Sequence, residues 1–83
     1  MTISETIQPR LARGCRLGND GMLLVPEGVL RLKGTGAEIV RRCDGTRTVA
    51  DIVTEMRAQF VGMPDGDVEQ FLGRLRERGV LEW

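Results

Sequence analysis

"MLLVPEGVLRLKGTGAEIV", residues 22–40, changes its period halfway along. "MLLV" (22–25) is an apolar run of strand length, and "VLRL" (29–32) is another. Pro26, Glu27 and Gly28 turn the chain between them, proline presetting φ and glycine relieving the far side. Past Lys33 and Gly34 the period of two gives way to one of 3.6. Gly36, Ile39, Val40 and Cys43 fall at i, i+3, i+4 and i+7, a buried helical stripe. Thr35 and Glu38 have the Thr-x-x-Glu spacing of a capping box, which predicts that the helix starts there. A hairpin that runs straight into a helix makes the class α+β.

The pattern extends in both directions. "LARGCRL" (11–17) predicts a first strand, weakened by Gly14, and "GNDG" (18–21) supplies the turn into the next. Three short strands with short links make a three-stranded antiparallel meander. Downstream, Gly45 sits where a left-handed glycine would close the first helix. Thr48 and Asp51 open a second with the same box, aspartate standing for glutamate. Val49, Ile52, Val53, Met56 and Phe60 give it an apolar face. "VGMPDGD" breaks that helix, Asp65 or Gly66 caps a third, and Val68, Phe71, Leu72 and Leu75 repeat the stripe until Gly79. "VLEW" is apolar enough to pack back. Residues 1–9 are polar and unpatterned, and are expected to be a flexible tail preceding a domain over 10–83.

Composition excludes more than it selects. The chain has 83 residues, enough for one small domain with a thin core. Twelve basic and twelve acidic side chains cancel, which argues against binding nucleic acid or membrane by bulk charge. No apolar run approaches the roughly 20 residues of a membrane span. The start, "MTISETIQPR", shows no secretory signal, so a cytoplasmic protein with free thiols at Cys15 and Cys43 is expected. There is no histidine, the commonest general base. Two distant cysteines without histidine do not make a closed zinc site, and no phosphate-loop motif is present. Catalysis by this domain alone is therefore not expected, nor is a bound metal or cofactor. Cys43 reads as core filler and Asp44-Gly45 as the join between two helices, because a reactive thiol needs a basic neighbour to lower its pKa.

Three strands followed by three helices is a winged helix-turn-helix-like layout. In order and spacing, "LLVPEGVLRL", "TGAEIV", "CDGTRTVADIV" and "DVEQFLGRLRERGVL" resemble the PqqD family of pyrroloquinoline quinone biosynthesis. The likeness runs from about Pro9 to Leu81. Its most specific parts are the Pro-Glu-Gly turn and the Cys-Asp-Gly-x-x-Thr-Val join. Lys33 stands where the family often has asparagine, and Gly36 where alanine is common. The resemblance implies a peptide chaperone, one of the recognition elements for ribosomally made, modified peptides. Its family binds the precursor peptide PqqA and presents it to PqqE, a radical S-adenosylmethionine enzyme. In the wider class the leader peptide adds as a strand to the third strand and lies against the third helix.

The residues point the same way. In a meander the last strand, with Val29, Leu30, Arg31 and Leu32, is an edge whose outer N–H and C=O groups lack partners. Arg31 and Lys33 suit acidic residues on a peptide, and equally suit a solvated edge protected by charge. Val68, Phe71, Leu72 and Leu75 span about 100° of the third helix. That width fits a wholly buried stripe, and also one whose flank lines a groove. Arg10, Arg13 and Arg16, and Arg74, Arg76 and Arg78, are two cationic groups; the second suits its helix C-terminus. A winged-helix DNA-binding regulator is the rival class, but its third helix would enter the groove by Asp65, Gly66, Asp67 and Glu69, an acidic end. A recognition element for another modified peptide is the nearer alternative. The free edge and the Lys33-Gly34 hinge are also compatible with a homodimer formed by strand pairing or swapping.

Overall fold

The hairpin forms where its period places it. The computed structural model describes residues 5–64 and 66–83. In it β3 (Met22–Val25) and β4 (Gly28–Arg31) pair antiparallel, with Val25 opposite Gly28, Leu24 opposite Val29, Leu23 opposite Leu30 and Met22 opposite Arg31. Alternation buries Leu23, half-buries Leu30 and leaves Leu24 and Val29 on the outer face. Pro26 and Glu27 both keep negative φ, a turn that splays the strands, and Gly28 absorbs the mismatch at φ +150°. Strand β4 thus begins one residue earlier than the apolar run suggested.

The stretch 11–17 is two strands, not the one expected. β1 (Arg10–Leu11) and β2 (Arg16–Leu17) are separated by a turn in which the Cys15 N–H donates to the Ala12 C=O at 3.0 Å. Gly14 takes φ +87° there, which suits glycine alone. β2 joins β3, giving a three-stranded antiparallel sheet in the order β2-β3-β4. β1 pairs instead with β5 (Leu81–Glu82), the returning end of the chain. One continuous strand could not follow both partners.

Three helices complete an α+β domain: α1 (Gly36–Arg41), α2 (Val49–Gln59) and α3 (Asp67–Glu77). The box expected at Thr35 and Glu38 does not form. Thr35 is already in helical backbone, φ −85° and ψ −1°, from which its hydroxyl caps nothing, and the Glu38 carboxylate is engaged by Arg41 and Arg42. The box at α2 does form, because Thr48 is extended at ψ 165°. The Asp51 N–H donates to Thr48 Oγ1 and the Thr48 N–H to Asp51 Oδ2, each at 3.1 Å. Gly66 is the N-cap of α3 and offers no side-chain cap; its rival for that role, Asp65, lies outside the described residues.

Cys43 is buried as expected but lies beyond α1, whose C-cap is Arg42. Its thiol donates to the Ile39 C=O at 3.3 Å. Burial, with Asp44 adjacent, pushes its pKa up to about 12. Gly45 has φ +83°, yet it serves the join rather than the helix end: its N–H donates to the Pro9 C=O at 3.0 Å. Asp44 accepts the Thr46 N–H at 2.9 Å, the Thr46 hydroxyl at 2.6 Å and Arg47 Nη1 at 3.0 Å. Arg42 then ties the two helices, donating to Glu38 at 3.2 Å, Glu55 at 2.9 Å and Gln59 at 2.8 Å.

The folded unit reaches back to Glu5, inside the stretch expected to be a tail. The Val49 N–H donates to the Ile7 C=O at 2.8 Å and the Ala50 N–H to the Glu5 C=O at 3.1 Å. Those are donors that the first turn of a helix cannot satisfy within itself. Pro9 is buried below them. Leu23, Ile39, Val40, Val49, Ile52, Met56 and Leu72 form the centre of the core, closed by Val80 and Leu81. Trp83 is half-buried, with the Arg76 guanidinium 4.8 Å above its ring. No helix among the described residues is long and apolar enough to cross a membrane.

Candidate functional site

Sheet order makes β4 an edge. Among the described residues it pairs with β3 alone. The opposite edge, β2, is two residues long and packs against α1.

The register settles which groups of β4 face outward. In an antiparallel pair, opposed residues alternate between those that exchange hydrogen bonds and those that do not. A two-residue turn makes Val25 and Gly28 a bonded pair, so Leu23 and Leu30 are bonded as well. The Leu32 N–H continues that parity, donating to the Gly21 C=O at 3.1 Å. Even-numbered residues of the strand therefore bond inward. The N–H and C=O groups of Val29 and Arg31 point away from β3, towards the open edge. Their side chains lie on the outer face of the sheet, where Val29 is 51% exposed beside Leu24 at 43%. Arg31 and Lys33 are exposed and have no ion-pair partner among the described residues.

Helix α3 packs on α2 and β5. A cleft of about 290 Å³ lies at the Gly28 end of β4. Gly28, Val29 and Leu30 line one side, Arg78, Gly79 and Val80 the other, and Cys15 and Pro26 lie between. At the other end of β4, Phe71 lies near the strand. A Cβ placed on Gly36 would come 3.1 Å from Phe71 Cζ and 3.6 Å from Leu32 Cβ, so ring, strand end and α1 converge there.

The helix-three residues divide by depth. Val68, Leu72 and Leu75 are buried in the core, while Phe71 is half-buried next to Leu32. Phe71 is thus the helix-three candidate that the fold brings to the strand while leaving part of its ring accessible. Arg13, Cys15, Arg78 and Val80 border the cleft without having been singled out for it in the sequence. Arg13 and Arg78 stood out only as members of cationic groups. The apolar "VLEW" signalled that Val80 packs, but not against what. Burial first, then Glu27 and Glu82, push the Cys15 thiol above its ordinary pKa.

An open strand edge beside a partly apolar cleft can hold an extended chain by backbone hydrogen bonds and side-chain contacts. The family described as coenzyme PQQ synthesis protein D (PqqD) matches residues 20–81. A "PqqA binding protein" of Azotobacter vinelandii is 39% identical, over 89% of this chain and 88% of that protein. One from Xanthomonas oryzae pv. oryzae is 32% identical, over 96% of each. Another, from Pseudomonas entomophila, is 42% identical over 61% of this chain and 58% of its own length. No solved structure matches the chain. The matched span runs from the turn before β3 to the first residue of β5 and takes in the hairpin and all three helices, and on that extent this chain belongs to the PqqD family.

Proposed function

We propose that this protein is a cytoplasmic peptide chaperone that binds the precursor peptide PqqA and presents it to the radical S-adenosylmethionine enzyme PqqE. The peptide adds as a fourth strand to β4 and lays alternate side chains into the cleft beside α3. The observation that carries the reading is the outward row of backbone groups on Val29 and Arg31, on a strand whose Gly28 end borders a cleft reaching to the turn after α3. Relatives similar over almost their whole length bear the name PqqA binding protein, which supports the identity of the peptide. The role is binding rather than catalysis, in keeping with a chain that has no histidine.

Strand addition gives affinity through the main chain and specificity through pockets for alternate side chains. Val29, Leu30, Arg31, Leu32 and Lys33 supply the strand. Phe71 supplies the accessible apolar contact of α3, with Val68, Leu72 and Leu75 supporting it from the core. The test is to titrate PqqA into the isotope-labelled chain and follow backbone amide shifts. Residues 28–33 and the Phe71 neighbourhood should move together. Shifts that cluster on α2 and the Asp44-Gly45 join would refute strand addition.

A further inference from the structure

We infer that Arg13 and Arg78 together seat an acidic side chain of the bound peptide, at the Gly28 end of the cleft; the inference rests on the strand-addition reading. The two residues are far apart in the chain, but both border the same end of the cleft. Both are exposed, and neither has an ion-pair partner among the described residues. The carboxylate of Glu82 is already engaged, accepting from Arg10 Nη2 at 3.4 Å and from the Arg13 backbone N–H at 3.3 Å. Glu27, on the hairpin turn, is the acidic residue that lines this end, so two cations face one anion.

The end of α3 does not oppose an anion as a bare helix C-terminus would. Three carbonyls of its last turn are occupied: Arg78 N–H donates to Arg74 C=O, Gly79 N–H to Arg76 C=O and Val80 N–H to Leu75 C=O, at 2.9 to 3.1 Å. Val25, Pro26, Leu30 and Val80 offer an apolar wall for the methylene stem of a glutamate. The first turn of α3, by contrast, carries Asp67 and Glu69. The last turn carries Arg74 and Arg76 beside Glu77, and Arg78 follows, so the charge gradient along the helix places the acidic residue at the Gly28 end.

The experiment titrates PqqA into the full chain and into Arg13→Gln/Arg78→Gln. The peptide is used intact and with each Asp or Glu changed singly to its amide. Both arginines are exposed, so the variant should fold, which its circular dichroism checks. Binding should weaken about tenfold at low salt and by much less at about 0.5 M, as screening of an exposed charge pair requires. One amide change in the peptide should weaken binding to the parent chain and have no further effect on the variant. Arg13→Lys/Arg78→Lys should keep most of the affinity. Equal affinity of parent and variant would overturn the seat while leaving strand addition standing. So would a loss that no single peptide carboxylate shares. Failure of the parent chain to bind PqqA at all would overturn the proposed function, and the seat with it.

Discussion

The ring of Phe71 lies over the bare Cα of Gly36, close enough that a methyl group there would sit 3.1 Å from Cζ. Gly36 is buried, so the ring occupies the space a side chain would take. Glycine costs a helix up to about 1 kcal/mol against alanine. Here the missing methyl seats the half-buried ring against α1 beside Leu32. Gly36→Ala should therefore fold, with a stability change within about 1 kcal/mol because helix propensity and crowding oppose each other. The ring should shift by a few tenths of an ångström away from α1. Urea melts and the Phe71 ring resonances check this. Unmoved ring resonances would show that the contact is looser than it looks.

Proline separates the two sets of backbone groups on β4, since it has no N–H. Val29→Pro and Arg31→Pro remove outward donors, so both should keep the helical circular dichroism and lose peptide binding. Val29→Ala and Arg31→Gln, which retain the N–H, should bind far better than their proline counterparts. Leu30→Pro removes a donor that bonds Leu23 and truncates a half-buried side chain, so it should cost about 2 kcal/mol or more of stability. Full peptide affinity in Val29→Pro and Arg31→Pro would place the peptide elsewhere.

Cys43 should resist alkylation in the folded protein at pH 8, because burial raises its thiol to about 12 from 9.0. An acid whose folded pKa is raised stabilises the fold below its unfolded value, and that share is lost as pH climbs from about 9 towards 12. Cys43→Ala should flatten this alkaline decline. It should also cost about 1–2 kcal/mol through a small cavity, with peptide binding unchanged in the folded fraction. Loss of binding in a well-folded Cys43→Ala would assign the thiol a role in recognition.

On the acid side the sign reverses. Hydrogen bonds from Thr46, with Arg47 nearby, hold the Asp44 carboxyl below its usual 3.8, and the bond from Arg41 holds Glu38 below 4.5. Lowered carboxyl pKa values contribute stability that is present above those usual values and lost as pH falls through the folded ones. Asp44→Asn should thus bring the melting temperatures at pH 7 and pH 3 closer together. An unchanged gap would mean that the join contributes nothing to acid sensitivity.

DNA should bind weakly and without sequence preference. Net charge is zero, and α3 begins with Asp67 and Glu69, so phosphates would meet the acidic end of the helix. A gel-shift titration at low salt measures it. Submicromolar binding that discriminates between duplexes would reverse the assignment of class.

Signals that act over a few residues were legible from the sequence alone. The Pro26-Glu27 turn, the Thr48-Asp51 box and the apolar stripe of α3 each depend on groups a few residues apart, and each stands where its spacing put it; that Phe71 is the less buried member of the stripe was not legible. Only the tertiary structure decided the rest. Arg10 and Leu11 leave the meander because their partners, Glu82 and Leu81, lie at the other end of the chain. The Thr35-Glu38 spacing is a valid box on paper, yet Glu38 bonds Arg41 and Arg42 and the Thr35 backbone is helical. The outward direction of Val29 and Arg31 follows from strand register, which a period-two pattern leaves open by one residue until both strands are paired. That Arg13 and Arg78 border one cleft depends on where β5 docks, because long-range pairing is selected by the sum of core contacts and no local stretch encodes it.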